Sequence, residues 1–123
     1  MTPEHDAALC AAFPRLFRLR HASPQESGMG RGFECGDGWY ELLLGLCAEV
    51  EGHAAAAGID PVVVQVKEKF GELRVYVDGG DDAVERLVDQ AVGRSHGICA
   101  CCGAPGTRRD DSFRSARCAE HEG

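Results

Sequence analysis

The strongest constraint on this chain is the run Cys99-x-x-Cys102-Gly103, then fourteen intervening residues, then Cys118-x-x-His121. Two thiolates two residues apart, followed by glycine, permit a tight turn that directs both sulfurs and nearby amides at one ion. A second pair at similar spacing completes a tetrahedron. The pattern predicts zinc held by Cys99, Cys102, Cys118 and His121, with Cys101 or His96 as the substitute ligand if one of the four is displaced. Four protein ligands close the coordination sphere, whereas a catalytic zinc keeps a position for water, so the expected ion is structural. Zinc deamination is excluded, because it needs a His-x-Glu upstream of Pro-Cys-x-x-Cys. Here Ile98 precedes Cys99 and no His-x-Glu lies before it.

Composition explains why such a staple matters. The chain is 44% hydrophobic, but 16 of those residues are alanine and 7 cysteine; Leu, Ile, Val and Phe make only 26 of 123. That share lies just above the roughly one-fifth at which chains tend to stay disordered. Apparent zinc affinity in small modules, about 10 to 16 kcal/mol, rivals the whole stability of an ordinary domain, about 5 to 15 kcal/mol. The length falls below the roughly 150 residues typical of one domain, which excludes a multidomain enzyme. We expect a single domain over 1–123: an N-terminal helix and glycine-rich loop (1–35), a helix–hairpin–helix core (36–95) and a zinc module (96–123).

Seven cysteines, four of them within the last 25 residues, suit metal ligation in a reducing compartment better than a disulfide framework. No apolar run approaches the roughly 18 to 20 residues of a membrane span, and the first ten residues lack a basic segment followed by an apolar one. The expectation is a soluble, cytoplasmic protein. The net charge of -7 is concentrated in residues 36–93, with twelve acidic and four basic groups. An acidic body opposes approach to nucleic acid and favours a basic partner, although acidity also serves solubility alone.

Leu9, Phe13, Leu16 and Phe17 are spaced for one face of a helix over 3–19, with Pro14 marking a kink or a second start. Arg15, Arg18, Arg20 and His21 form a basic patch opposite. A long loop with glycines at 28, 30, 32, 36 and 38 follows, and Asp37 is the expected N-cap of a helix from about Gly38 to Ala57, ended by Gly58. Val62–Lys69 and Glu72–Asp78 read as a hairpin turning at Phe70-Gly71. That turn pairs Val66 with Val75 and Val64 with Val77 inside, and Lys67 with Arg74 and Gln65 with Tyr76 outside. Opposed like charges need an acidic neighbour, supplied by Glu72, Asp78 or the central helix, or by a partner. Asp81 or Asp82 caps a third helix through about Arg94, with Glu85, Arg86 and Asp89 outward. The fold class is α+β: helices packed on a small antiparallel hairpin or sheet, with a treble-clef or ribbon-like zinc module and a short terminal helix.

Other candidates carry bland readings beside sharp ones. Cys10 and Cys47 flank apolar stripes and read as packing. Cys35 lies on a loop before a helix start, where the dipole lowers a thiol pKa, but no histidine stands in a recognisable relation to it. The glycines at 28, 30 and 32 suggest a phosphate cradle, yet lack a preceding strand or a following Lys-Ser/Thr, so a mobile loop is expected. Trp39 belongs to the core stripe, and Tyr40 is a candidate exposed anchor.

Phe33-Glu34-Cys35-Gly36-Asp37-Gly38-Trp39, the run from Gln65 to Tyr76, and Cys99-x-x-Cys102-Gly103-Ala104-Pro105-Gly106 with Cys118-x-x-His121 together resemble a group of small, mostly uncharacterised proteins of bacteria and their phages. The resemblance begins at about Phe13. It implies one intact domain that includes its zinc module and brings no activity with it. The chain departs from the pattern before the last ligand pair, where Arg114 to Arg117 stand in place of an aromatic.

The expected function is non-enzymatic protein binding. Its most concrete form is an immunity or inhibitor protein that neutralises a basic bacterial toxin by covering its active site. Candidate contacts are Tyr40, Gln65, Lys67, Lys69, Arg74 and Tyr76 on the hairpin face, with acidic Asp81, Asp82, Glu85 and Asp89. The alternatives are a nucleic-acid-associated regulator using Arg108, Arg109, Arg114 and Arg117 of the zinc loop, and a small hydrolase built on the glycine-rich loop with Cys35.

Overall fold

The computed structural model describes residues 1–23, 25–108 and 114–122. Its elements in chain order are α1 (Pro3–Ala12), β1 (Phe33–Glu34), α2 (Tyr40–Ala57), β2 (Val62–Lys69), β3 (Glu72–Asp78) and α3 (Asp82–Ser95), with short 3-10 turns at Gly28–Arg31 and Asp37–Trp39. The sheet runs β1-β2-β3, with β1 parallel to β2 and the hairpin antiparallel. This is an α+β arrangement with a mixed sheet, where a purely antiparallel one was expected.

The hairpin forms where alternation and turn chemistry agree. Phe70 and Gly71 both take left-handed backbone angles, φ 53° and 81°, as a two-residue turn matched to strand twist requires. Register follows the expected pairing from Lys69↔Glu72 to Gln65↔Tyr76 and then departs from it. A bulge at Val64 makes Val63, not Val64, the partner of Val77. An extra residue reverses facing beyond it, so Val63 and Val66 are buried with Leu73, while Val64 is only half-buried. Lys67 does oppose Arg74, and Glu72 Oε2 lies 2.8 Å from Arg74 Nε, so Glu72 of the same strand neutralises that guanidinium internally.

α2 packs on α3, and Trp39, Leu43, Val66, Leu73 and Val84 are among the most deeply buried side chains. Gly58, left-handed at φ 70°, ends α2. Asp81 caps α3 by accepting from Val84 N at 3.1 Å. Ser95 at the far end accepts from Leu73 N at 3.2 Å and donates to Val92 O, joining helix and strand.

Three N-terminal expectations are corrected. The first helix stops at Ala12, because Pro14 cannot continue it, and Leu16 and Phe17 reach the core from turns. The glycine-rich loop is packed rather than mobile in arrangement: Met29 is fully buried, Ser27 Oγ donates to Val64 O at 2.9 Å, and Phe33–Glu34 adds a strand beside Val66 and Lys67. Asp37 does not cap α2, which starts at Tyr40 without a side-chain cap. Its carboxylate instead accepts from Thr2 N at 2.7 Å and lies 3.0 Å from His5 Nδ1. The basic patch is also engaged, Arg15 and Arg18 by Asp60 and Arg20 by Asp6.

Candidate metal centre

After α3 the chain makes a knuckle. Cys99 N donates to Ala104 O at 2.8 Å and Gly103 N to Cys99 O at 2.9 Å, with Gly103 left-handed at φ 84°. Antiparallel bridges join Ile98↔Pro105 and Thr107↔Arg117, and Ala100 N, donating to Ala116 O at 2.9 Å, ties the first Cys pair to the segment carrying Cys118 and His121. Cys118-x-x-His121 closes in a turn, His121 N donating to Cys118 O at 3.0 Å. Residues 119–121 form that turn and not the expected short terminal helix.

Cys99, Cys102, Cys118 and His121 bring their ligating atoms within 4.8 Å of one another, and the seven cysteines are all free thiols. Two of three close separations match a tetrahedral site and the third is shorter. Sulfurs about 2.3 Å and an imidazole nitrogen about 2.05 Å from a common tetrahedral centre lie roughly 3.8 Å (S to S) and 3.6 Å (S to N) apart. Cys102 and Cys118 sulfurs are 3.7 Å apart, Cys99 Sγ is 3.6 Å from His121 Nδ1, and Cys118 Sγ is 3.1 Å from it. These four residues could hold a metal ion.

The substitute ligands lie elsewhere. Cys101 is exposed, with Arg117 Nη1 2.9 Å from its sulfur; His96 Nε2 is 2.9 Å from Glu72 Oε1 and 3.3 Å from Arg108 Nη1. Burial works against ionisation of the Cys99 thiol, but the amides of Cys118, Cys102 and Cys101 are directed at it and together hold it down at about 6. The neighbouring Cys118 thiol is also lowered, chiefly by the His121 ring.

A functional pair that spacing did not flag is Gly36 and Gly38. A Cβ on Gly38 would sit 1.9 Å from Cys99 O, and one on Gly36 2.1 Å from Ala100 O. The knuckle thus rests directly on the backbone of the turn before α2, and only glycine permits that approach. Gly38 N donates to Ala100 O at 2.9 Å and Trp39 Nε1 to Ile98 O at 3.0 Å, so the core's tryptophan spends its polar atom on the module. Two glycines one residue apart immediately before tryptophan were the visible signal.

The remaining candidates divide. Tyr40 is not an exposed anchor: it is half-buried under His5, the rings stacked 4.0 Å apart at 11°. Gln65 is half-buried against Gly28, and Asp81 is occupied by Val84 N and by His53 Nε2 at 2.8 Å. Lys67 and Arg74 are half-buried; Lys69, Tyr76, Asp82, Glu85 and Asp89 are exposed. Cys47 is buried and Cys10 half-buried, as packing predicts. Cys35 is buried too, and desolvation pushes its thiol up to about 12, so it stays protonated at neutral pH. Between the two Cys/His pairs, Arg108 donates to Phe70 O at 2.7 Å, Arg114 to His121 O at 3.0 Å, and Arg117 Nε to Ser115 Oγ at 3.3 Å. Arg109 lies outside the described residues.

Compared with protein-family models, with curated proteins and with solved structures, the chain finds no match in any of the three. Among the described residues, no helix is long and apolar enough to cross a membrane.

Proposed function

We propose that this is a zinc-stapled, non-enzymatic protein-binding module that presents its hairpin to a partner in the cytoplasm, most concretely as an inhibitor of the immunity type acting on a basic bacterial toxin. The observation that carries the reading is Phe70. Its ring is 54% exposed at the hairpin tip, on a backbone with φ 53°. Left-handed conformation costs a bulky residue roughly 1 to 2 kcal/mol, and asparagine or glycine fits such a turn without that cost. A strained, exposed aromatic points to selection for contact rather than for folding. Tyr76, 39% exposed, is the other large exposed hydrophobic side chain among the described residues, and the Lys69 ammonium lies 5.5 Å from the Phe70 ring centre.

The internal bonds of Arg108, Arg114 and Arg117 leave the nucleic-acid reading with less support, and the protonated, buried Cys35 does the same for the hydrolase. For the ion we propose zinc, because three thiolates and an imidazole gathered within 4.8 Å suit it.

The test is a comparison of the native protein with Phe70→Asn. The substitution is expected to raise stability by about 1 kcal/mol while reducing capture of a stoichiometric partner from the native cell at least tenfold. Equal capture by both proteins, or no stoichiometric partner, defeats the reading. A captured partner whose growth-inhibitory activity the protein does not relieve defeats its inhibitor form.

A further inference from the structure

We infer that the outer edge of β3 is a strand-addition site for an extended segment of a partner protein that carries apolar and basic side chains on one face. This rests on the reading above that the protein works by binding another protein, and specifies how.

In an antiparallel ladder, alternate residues of an outer strand aim their N–H and C=O groups away from the partner strand. Leu73 N donates to Ser95 Oγ and not to β2, which places the outward series at Leu73, Val75 and Val77. Among the described residues Ser95 alone is hydrogen-bonded to this edge, at its Leu73 end. At Val75 and Val77 the edge opens into a groove of about 280 Å³ between β3 and α3, continuing past Gly80. Its floor is Val75, Val77, Val84 and Val88, and its far rim is Glu85 and Asp89.

Exposed edges with free amides invite pairing, and proteins commonly blunt them with lysine, proline or a covering element. None of these stands on the groove: its lining includes no lysine, arginine or proline. The occupant is set by three complementary features. Free N–H and C=O groups of Val75 and Val77 select an extended backbone; every second side chain of that backbone faces α3, where the valine floor takes apolar groups and the two carboxylates of the rim favour lysine or arginine within the same series. The surplus of acid in residues 36–93 would steer such a segment inward.

The test uses zinc-loaded, 15N-labelled protein and a capped octapeptide with valine and lysine along one face and threonine along the other. Addition of the peptide should slow amide exchange at Val75 and Val77, and Glu85→Lys with Asp89→Lys, both on the exposed helix surface, should weaken binding at least about fivefold. Val75→Pro removes an outward N–H and should abolish binding if the variant folds; the charge variants decide the matter if it does not. The proposal is overturned if those amides are unaffected, if a glutamate/valine peptide binds equally well, or if they become protected with rising protein concentration alone, which would assign the edge to a second copy of the chain. Its failure is separable from that of the wider reading. Partner capture that is lost in Phe70→Asn but survives Glu85→Lys/Asp89→Lys, with no peptide binding, removes the edge site and leaves protein binding standing. Absence of any captured partner removes the wider reading, while protection at Val75 and Val77 by the peptide would still support the site.

Discussion

The helix–hairpin core and the cysteine–histidine module solve the same problem by different means. In the core, Trp39, Leu43, Val66, Leu73 and Val84 exclude water by bulk. In the module the buried hydrophobic residues, among those described, are Cys99, Ala100 and Ala116, and the chain path is set by main-chain bonds such as Ala100 N to Ala116 O and Cys99 N to Ala104 O. A side-chain-built region tolerates loss of a methylene by degrees. A region built from backbone approach and four ligating atoms has few parts, each of which it needs.

The largest effect should come from the ion. Stripping by chelator, or Cys102→Ser, is expected to remove binding energy on the order of 10 kcal/mol and to lower the melting midpoint steeply, whereas Cys101→Ser should change stability by less than about 1 kcal/mol. Calorimetry with metal analysis checks both, and a midpoint indifferent to chelator would sink the zinc assignment. Next is the seat. Gly38→Ala should cost more than about 3 kcal/mol and expose Trp39, seen as a red-shifted emission, because the intruding Cβ meets backbone that cannot rotate away. The contrast lies in α2, where Gly45 and Gly52 have nothing within 4 Å of an added Cβ. There Gly→Ala should stabilise by about 0.5 to 1 kcal/mol in urea unfolding, with zinc affinity unchanged.

The smallest predicted effect concerns acid. The Thr2 amide, and then His5, hold the Asp37 carboxyl below the usual carboxylate range, so its folded pKa lies under its unfolded one. Its contribution to stability is complete above the unfolded value and is lost as pH falls through the folded one. Asp37→Asn should therefore be less stable than the native protein near neutrality and converge with it in strong acid. A constant gap in urea midpoints across that range would refute the assignment.

The same contrast explains what could be read in advance. Val62–Lys69, Glu72–Asp78 and the clustering of Cys99, Cys102, Cys118 and His121 were legible because alternation, the Phe70-Gly71 turn and Cys-x-x-Cys spacing are local signals. Phe33–Glu34 was not, since two residues cannot display a period and their pairing with Val66 and Lys67 is non-local. The Val64 bulge was hidden because inserting one residue leaves the composition of an all-valine stretch unchanged. Asp37 misled because a helix cap and a turn that receives another segment look alike until the second segment is placed. Gly36 and Gly38 likewise acquire meaning only from the carbonyls of Cys99 and Ala100.

The joint between Trp39 and Ile98 spans 59 positions of sequence. On a translating ribosome the tryptophan and its glycine turn emerge long before the knuckle exists, so the nascent chain carries an open notch and a solvent-wetted indole until Cys99 to Gly103 have left the exit tunnel. During that interval Gly38 N and the indole N–H lack the carbonyls of Ala100 and Ile98 that they bond in the finished fold.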